Sequence, residues 1–292
     1  MIRKIALIGS TGLLGKPVAH ALHEAGFTLT ALVRNTERAS RELPPGTELV
    51  NGDLKNAIDI AKTLQGCDAL YLNLSVKKEE RPSDWHTESD GLRLILEEVK
   101  KSSVKRIAII SSLVQRYQGM NNFYWWAFEL KQQAVHMIKN SGIPYTIFYP
   151  SSFMENFYDN YKQGRILVLA GKSEHKQYFI AGKDYGKQVA RSFQLTQSEN
   201  KEYTIQGPEG FTTDEACVEF KKYYQKEKLS TMKAPLGMLK IFGVVFQKMN
   251  YGYHIIEALN KYPEKFESEN TWNELGKPEI TLRAFAESYE SH

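Results

Sequence analysis

Short apolar runs rich in β-branched residues alternate with longer amphipathic stretches over the first half of the chain. This alternation predicts a parallel sheet with helices on both faces. The predicted strands cover residues 4–9, 28–33, 48–52, 69–74, 106–110 and 145–149. The predicted helices cover residues 13–25, 55–64, 85–101 and 124–140. Each helix is long enough for a right-handed crossover, so we expect these six strands to form one doubly wound sheet of the Rossmann type.

The pattern changes after Tyr149, where polar and aromatic residues mix. We predict a helix from about Asp184, and another opened by the capping-box pair Thr212 and Glu215. Residues 232–262 are rich in Met, Phe, Leu and Tyr and predict short amphipathic helices that cover a groove. Short strands are predicted at residues 165–169, 177–180 and 202–206. The resulting division is a Rossmann domain over residues 1–150 and a smaller α+β substrate lobe over residues 151–292, interleaved with the sheet.

Composition narrows the class of protein. The 292 residues are 42% hydrophobic and 25% charged, as in ordinary globular proteins. The net charge of +4 is spread along the chain, which argues against nucleic-acid binding. Cys67 and Cys217 stand far apart, so we expect neither a disulfide framework nor a cysteine metal site. This cysteine usage favours a reducing cytoplasm.

Two apolar stretches bear on membrane association. Near the N-terminus, glycines together with Lys16 and Pro17 interrupt the apolar run, which predicts a strand entering a turn rather than a secretory signal. The longest window without a charged residue, residues 140–154, has 15 residues, short of the roughly 18 that span a bilayer. We therefore expect no membrane segment.

The clearest local motif follows the first predicted strand and precedes the first predicted helix. It reads Gly9-Ser10-Thr11-Gly12-Leu13-Leu14-Gly15. Glycines allow a tight turn and a close approach of the backbone to a pyrophosphate, and the N–H groups of a helix N-terminus attract its charge. The motif predicts that these residues bind a dinucleotide, and its spacing is GxxGxxG rather than GxGxxG. The alternative is a glycine-rich turn without a ligand.

The end of the second predicted strand indicates which dinucleotide is bound. An acidic residue there would bind the ribose diol of NAD, but the strand ends at Arg34, whose guanidinium matches a 2'-phosphate. We therefore expect NADP(H) rather than NAD(H), with Arg38 as a second contact. The alternative for Arg34 is a solvated surface cation. Asp53, after the third strand, is a candidate acceptor for the adenine amino group or a helix cap.

Later motifs resemble one branch of the short-chain dehydrogenase/reductases. They are the run at residues 143–150, the segment Ser152-Phe153-Met154-Glu155-Asn156, Asp184-Tyr185-Gly186, and Gly207-Pro208-Glu209 with Phe211-Thr212. With the glycine turn, they are similar to the NmrA-like atypical branch and its isoflavone-reductase-like and quinone-reductase-like relatives. The resemblance covers residues 1 to about 220.

The resemblance implies candidate catalytic residues. Reductases of the wider family commonly use Ser, Tyr and Lys, with the last two in a YxxxK spacing. Ser112 matches the serine and Lys131 matches the lysine, but Ala127 stands at the tyrosine position. In such enzymes the phenol exchanges a proton with the substrate oxygen, while the lysine lowers the pKa of the phenol and binds the cofactor ribose. The resemblance thus makes Lys131 a candidate for binding the cofactor as well.

Three explanations for Ala127 remain open. Lys131 could take part in the proton chemistry itself, as in the isoflavone-reductase-like enzymes, or Tyr124 could replace the missing phenol. Tyr124 lies seven residues before Lys131, roughly 10.5 Å along a helix, which makes direct cooperation doubtful. In the third explanation the protein is a non-catalytic NADP(H)-responsive regulator of a protein partner, as NmrA is thought to be.

The carboxyl ends of the strands predict the position of the ligands. Asn73, Tyr149 and Pro150 lie there and are further candidates for binding the cofactor. The adjacent aromatic run, residues 123–126 with Phe128, could line a pocket for a flat small-molecule substrate. It could equally be buried under the second lobe, or Trp125 could form a homodimer contact. The sequence thus predicts an NADPH-dependent reductase of a small carbonyl, quinone or conjugated acceptor, with the redox-sensing regulator as the alternative.

Overall fold

The first half of the chain forms alternating strands and helices in the computed structural model, which describes residues 2–195 and 199–288. The strands are β1 (Lys4–Ile8), β2 (Thr28–Val33), β3 (Glu48–Asn51), β4 (Ala69–Leu72), β5 (Arg106–Ile110) and β6 (Tyr145–Pro150). The helices are α1 (Gly15–Glu24), α2 (Thr36–Glu42), α3 (Ala57–Leu64), α4 (Leu92–Val99) and α5 (Trp126–Lys139). A π-helical turn, Thr87–Gly91, leads into α4.

The second half contains shorter strands and more helix. Its strands are β7 (Lys162–Gln163), β8 (Ile166–Ala170), β9 (Gln177–Tyr178), β10 (Lys201–Ile205), β11 (Gly210–Phe211) and β12 (Ser230–Ala234). Its helices are α6 (Gly182–Gln194), α7 (Thr213–Tyr223), α8 (Leu236–Gly243), α9 (Gln247–Lys261), α10 (Glu269–Leu275) and α11 (Leu282–Ser288). Thr212 and Glu215 form the predicted capping box at the start of α7.

A seven-stranded parallel sheet organises the molecule, in the order β10-β6-β5-β4-β1-β2-β3. The predicted Rossmann fold is confirmed. The expectation of six strands is wrong, because β10 from the second half pairs with β6. Tyr203 and Ile205 of β10 are buried, so this strand covers an edge of β6 that would otherwise be open.

Both faces of the sheet are covered by apolar side chains, as a parallel sheet requires. Along β1, Ala6 and Ile8 join one cluster of buried residues, and Ile5 and Leu7 join another on the opposite face. On the second face, α1 packs against α6, where a Cβ at Gly186 would lie 2.6 Å from the carbonyl oxygen of Pro17.

Three predicted segments differ from the structure. Helix α2 was not predicted because it has a single buried residue, Ala39, and therefore no apolar periodicity. The helix predicted at residues 124–140 begins at Trp126, because Trp125 has extended backbone angles. The strand β12 begins before the stretch 232–262 and extends into it, since it pairs with β8, so this stretch is not entirely helical. The division at residue 150 stays a prediction.

No helix within residues 2–195 and 199–288 is long and apolar enough to span a membrane.

Candidate functional site

The glycine turn between β1 and α1 has no room for side chains at two positions. Gly9 has a φ of +85°, and a Cβ there would lie 2.1 Å from the carbonyl oxygen of Asn73. A Cβ at Gly15 would lie 2.1 Å from the carbonyl oxygen of Gly9. The turn is therefore tight because its glycines let backbone atoms of the chain approach one another closely.

The amides of this turn form a set of free donors. The N–H groups of Thr11, Leu13 and Leu14 have no acceptor among the described residues. They lie at the N-terminus of α1, where the helix dipole attracts an anion. The turn thus combines free amides, a helix N-terminus and glycines, which have no side chain to block a ligand. This combination fits a dinucleotide pyrophosphate. The side-chain hydroxyl of Ser10, in the same turn, is buried and has no hydrogen-bond partner among the described residues.

Two arginines, Arg34 and Arg38, lie near the same turn. Arg34 follows β2, is exposed, and has no acidic partner within the described residues. Arg38 is held by Glu42 through a 3.0 Å hydrogen bond from its Nε. The guanidinium of Arg34 is thus free to bind an anion, whereas that of Arg38 is already engaged.

A cleft of about 600 Å³ runs from the turn along the carboxyl ends of the strands. Most of the predicted site residues line it, namely Gly9, Thr11, Gly12, Leu13, Leu14, Arg34, Asn73, Ser112, Lys131 and Pro150. One cleft therefore brings the glycine turn together with the candidate catalytic groups.

Lys131 and Ser112 both line the cleft. Lys131 Nζ lies 2.6 Å from Glu88 Oε1, and the side chains are 18% and 3% exposed. The other carboxylate oxygen of Glu88 accepts a hydrogen bond from the backbone N–H of Val76. The Ser112 hydroxyl has no hydrogen-bond partner in the described part of the chain. The lysine is thus fixed by a buried carboxylate, and the serine hydroxyl is free to bind a ligand.

A second carboxylate lies in the far part of the cleft. Glu264 accepts hydrogen bonds from the Ser151 hydroxyl (2.9 Å) and the Gln206 amide (2.7 Å). Burial raises the pKa of Glu264 to about 6, although these donors act in the opposite direction. This end of the cleft can therefore exchange a proton near neutral pH.

Helix α9 forms an apolar wall of the cleft. Tyr251, Ile255 and Leu259 recur at a spacing of four residues and share one face of the helix. Tyr262, which directly follows α9, extends this wall. The predicted groove under residues 232–262 corresponds to this cleft, and an apolar wall of this kind would exclude water from a bound ligand.

Some predicted site residues lie outside the cleft lining. Tyr124 is 71% exposed at the surface. The Tyr149 hydroxyl donates to Glu202 on the neighbouring strand. Asp53 accepts a hydrogen bond from the backbone N–H of Lys55 and thereby stabilises its own turn. Ser10 and Gly15 belong to the turn but do not line the cleft.

Most of the aromatic run at the start of α5 is buried, and none of it lines the cleft. Phe123, Trp125 and Phe128 are buried, and Trp125 is stacked with His254 at a centroid distance of 5.6 Å. At 3% exposure, Trp125 has no surface to offer a second copy of the chain. The interpretation of this run as a buried helix start is therefore the one that the structure supports.

The sequence did not indicate three residues of the site: Glu88, Tyr251 and Glu264. Glu88 stands in a segment predicted as a helix, and its burial could not be read from the periodicity. Tyr251 and Glu264 lie in or next to the stretch that predicted a groove cover, and the spacing of Tyr251, Ile255 and Leu259 was the available signal.

Comparison with known proteins identifies a matching family model and several similar proteins. A family model described as NAD(P)H-binding matches residues 9–194. The photosystem II assembly factor Ycf39 of Trieres chinensis is 26% identical over 262 residues, which cover 87% of this chain and 79% of that protein. Sanguinarine reductase of Eschscholzia californica is 22% identical over 271 residues, which cover 76% of this chain and 95% of that protein.

A solved structure shares the fold over almost the full length. The NADPH complex of the NADPH-dependent quinone oxidoreductase QOR2 from Escherichia coli superimposes with a TM-score of 0.75 at 21% identity. The match covers 97% of this chain and 98% of that one. The family model spans more than half of the chain and includes the turn, Arg34, Ser112 and Lys131. The family resemblance predicted from the motifs is thereby confirmed, and the chain belongs to the NAD(P)H-binding family.

Proposed function

We propose that the protein is an NADPH-dependent reductase of a small carbonyl, quinone or similar conjugated acceptor. The observation that supports this proposal most directly is the single cleft lined by the glycine turn, Arg34, Ser112 and Lys131. Sanguinarine reductase and the quinone oxidoreductase are similar over most of their length, which adds support. The two cysteines are free and buried, which suits a reducing cytoplasm as the place of this activity.

Each group of residues in the cleft would have a separate role in the reaction. The free amides of the turn bind the pyrophosphate, and Arg34 binds the 2'-phosphate that distinguishes NADP from NAD. When bound, NADPH supplies the hydride that reduces the acceptor. The Ser112 hydroxyl donates a hydrogen bond to the acceptor oxygen, and Lys131, fixed by Glu88, stabilises the negative charge that develops there. The wall of α9 keeps water away from the reacting atoms.

Calorimetric titration with NADPH and NADH, followed by single-turnover absorbance of the nicotinamide, tests this proposal. We expect tight NADPH binding, weaker NADH binding, and oxidation of bound NADPH by at least one member of a panel of quinones and aldehydes. Bound NADPH that no member of the panel oxidises would contradict the reductase function.

A second candidate is a redox-responsive regulator of a protein partner. It is favoured by the α8–α9 tip, defined as residues 241–246, where five large apolar side chains are exposed and Ile241 and Val244 reach 72% and 86%. Exposed apolar surface of this kind often marks an interaction site. Ycf39 is an assembly factor by name, which fits the same idea. A partner should then bind with different affinity to the NADP+ and NADPH forms, and equal affinities would contradict this function.

A further inference from the structure

Ala127 stands where the YxxxK pattern has its tyrosine, but a tyrosine of another helix, α9, lines the cleft. Three residues of the α9 face line the cleft: Tyr251, Ile255 and Leu259. Of these three side chains, Tyr251 alone has an ionisable proton. Tyr262 also lines the cleft, but it lies beyond the end of α9, near the Arg116 guanidinium. Tyr251 is therefore the tyrosine of this helix face that can donate a proton to a ligand in the cleft.

The ring of Tyr251 lies beside the start of α5. It meets Trp125 edge to face at a centroid distance of 5.0 Å. Trp125 immediately precedes α5 and stands two residues before Ala127, which is 2% exposed and ends in a methyl group. A phenol from α9 thus approaches the same end of α5 at which a YxxxK tyrosine would stand. Lys131 of that helix lines the same cleft.

The Tyr251 hydroxyl has no hydrogen-bond partner in the described residues. The Tyr251 side chain is half-buried and lines the cleft, so this hydroxyl can bind a group that occupies the cleft. Burial, together with the nearby negative charge of Glu88, raises the pKa of Tyr251 to about 12, so the proton stays on the phenol at neutral pH. An acceptor oxygen bound in the cleft would supply the missing partner.

We propose that Tyr251 is the proton donor of the reduction, an inference that rests on the proposed reductase function. The hydride forms a new C–H bond at the carbonyl carbon, and the π electron pair of the C=O bond moves to the oxygen. That oxygen takes the proton from Tyr251 Oη, so that one O–H bond forms while another breaks. The products are an alcohol, NADP+ and a phenolate, which regains its proton from water. The phenol thus acts from α9 instead of from α5.

Substitution of Tyr251 by Phe tests this step, because the ring that contacts Trp125 is retained. The test uses two acceptors, 2-naphthaldehyde and 1,4-naphthoquinone. Reduction of the aldehyde creates an alkoxide that requires a proton donor, whereas the hydroquinone anion can take its proton from water. We expect Tyr251→Phe to slow single-turnover reduction of the aldehyde about 100-fold, and that of the quinone less than about fivefold.

Two variants serve as matched controls. Tyr253→Phe alters the same helix, but the Tyr253 hydroxyl is bound to Glu257 and is not part of the cleft lining. Tyr124→Phe removes the other candidate phenol at the surface. We expect both variants to reduce both acceptors at the rate of the unaltered protein.

Binding gives a readout that needs no turnover. With NADP+ bound, 2-naphthaldehyde cannot be reduced, and its Kd can be measured by calorimetry. Loss of one hydrogen bond should raise this Kd about fivefold in Tyr251→Phe and leave it unchanged in Tyr253→Phe.

The outcomes separate the two proposals. If the unaltered protein reduces no member of the panel of quinones and aldehydes, these two acceptors included, the reductase function fails and Tyr251 has no proton to donate. If it reduces both and Tyr251→Phe does so equally fast, the role of Tyr251 alone is overturned. Equal slowing with both acceptors would indicate a structural role, and a selective loss in Tyr124→Phe would assign the proton to Tyr124. Both results would overturn the inference.

Discussion

The two ends of the cleft are built from residues with different spacing along the chain. At the phosphate end, the residues come from one turn and one strand end. At the substrate end, the contacting residues are far apart in the chain. Residues 9–14 and Arg34 line the first end. At the second, the bond between Lys131 and Glu88 joins residues 43 positions apart, and that between Ser151 and Glu264 joins residues 113 positions apart. In the proposed function, the phosphate end acts through the backbone amides of the turn and one side chain, Arg34, so few side chains there affect its chemistry. The substrate end relies on side chains that the whole fold must bring together.

This difference predicts where substitutions will act. Changes at the phosphate end should alter cofactor affinity and leave the rest of the fold intact. Changes at the substrate end should alter stability as well as turnover where they remove a polar group that a distant partner holds, as Glu88 holds Lys131.

The largest effect is expected for Lys131→Met. The variant removes a cation from the cleft and leaves Glu88 buried without its partner. We expect single-turnover reduction to fall about 100- to 1,000-fold, and the free energy of unfolding to fall by about 3 kcal/mol.

Lys139→Met on the same helix is the control. Lys139 pairs with Glu202, and both side chains are more than a third exposed. Its loss should cost less than about 1 kcal/mol of stability in urea unfolding. Equal destabilisation by the two variants would contradict the special role of the buried pair.

Gly15→Ala should act on the phosphate end alone. Its Cβ would lie 2.1 Å from the carbonyl oxygen of Gly9, so the turn must open and its amides must move. We expect the Kd for NADPH to rise about 100-fold, or about 2.7 kcal/mol. Gly237→Ala, where a Cβ has no neighbour within 4 Å, should leave the Kd unchanged. Calorimetry compares the two, and unaltered affinity in Gly15→Ala would mean that the turn does not bind the cofactor.

Arg34→Ala tests the side chain at the phosphate end that we expect to distinguish NADPH from NADH. Because a charge-assisted hydrogen bond to the 2'-phosphate is lost, we expect the Kd for NADPH to rise about 30-fold. The Kd for NADH should change little. Arg38→Ala, whose guanidinium is held by Glu42, is the matched control and should have a smaller effect. Similar losses for NADPH and NADH would mean that the 2'-phosphate is bound elsewhere.

The smallest effect concerns pH. Burial raises the pKa of Glu264 from its ordinary value of 4.5 to about 6, so the native state holds this proton more tightly than the unfolded chain. The protein should therefore lose about 2 kcal/mol of stability from this group as pH rises from about 4.5 to about 6.

Glu264→Gln should remove this contribution. Urea unfolding at about pH 4.5 and about pH 7.5 should give a smaller difference in stability for the variant than for the unaltered protein. Glu37→Gln, which alters an exposed carboxylate paired with Arg41, should keep the original difference. An unchanged pH dependence in Glu264→Gln would rule out the effect of this buried carboxyl.

The same contrast explains how far the sequence could predict the molecule. Strands β2 and β5 have the predicted bounds because each is a short run dominated by apolar and β-branched residues, and the glycine turn follows from local rules of backbone geometry. The position of Glu88 could not be predicted, since its burial depends on Lys131 in another helix. Likewise, the pattern of α9 predicts an apolar face but not that Tyr251 lies beside α5.

The pairing of β10 with β6 also has a consequence for synthesis on the ribosome. Strand β6 ends at Pro150, and its neighbour β10 ends at Ile205. At 5–20 residues per second, the intervening chain takes roughly 3 to 11 s to be made. During this interval the nascent protein has a sheet edge with unpaired amides and carbonyls, to which another chain can add. Translation speed across this segment should therefore affect how much of the protein folds and how much aggregates.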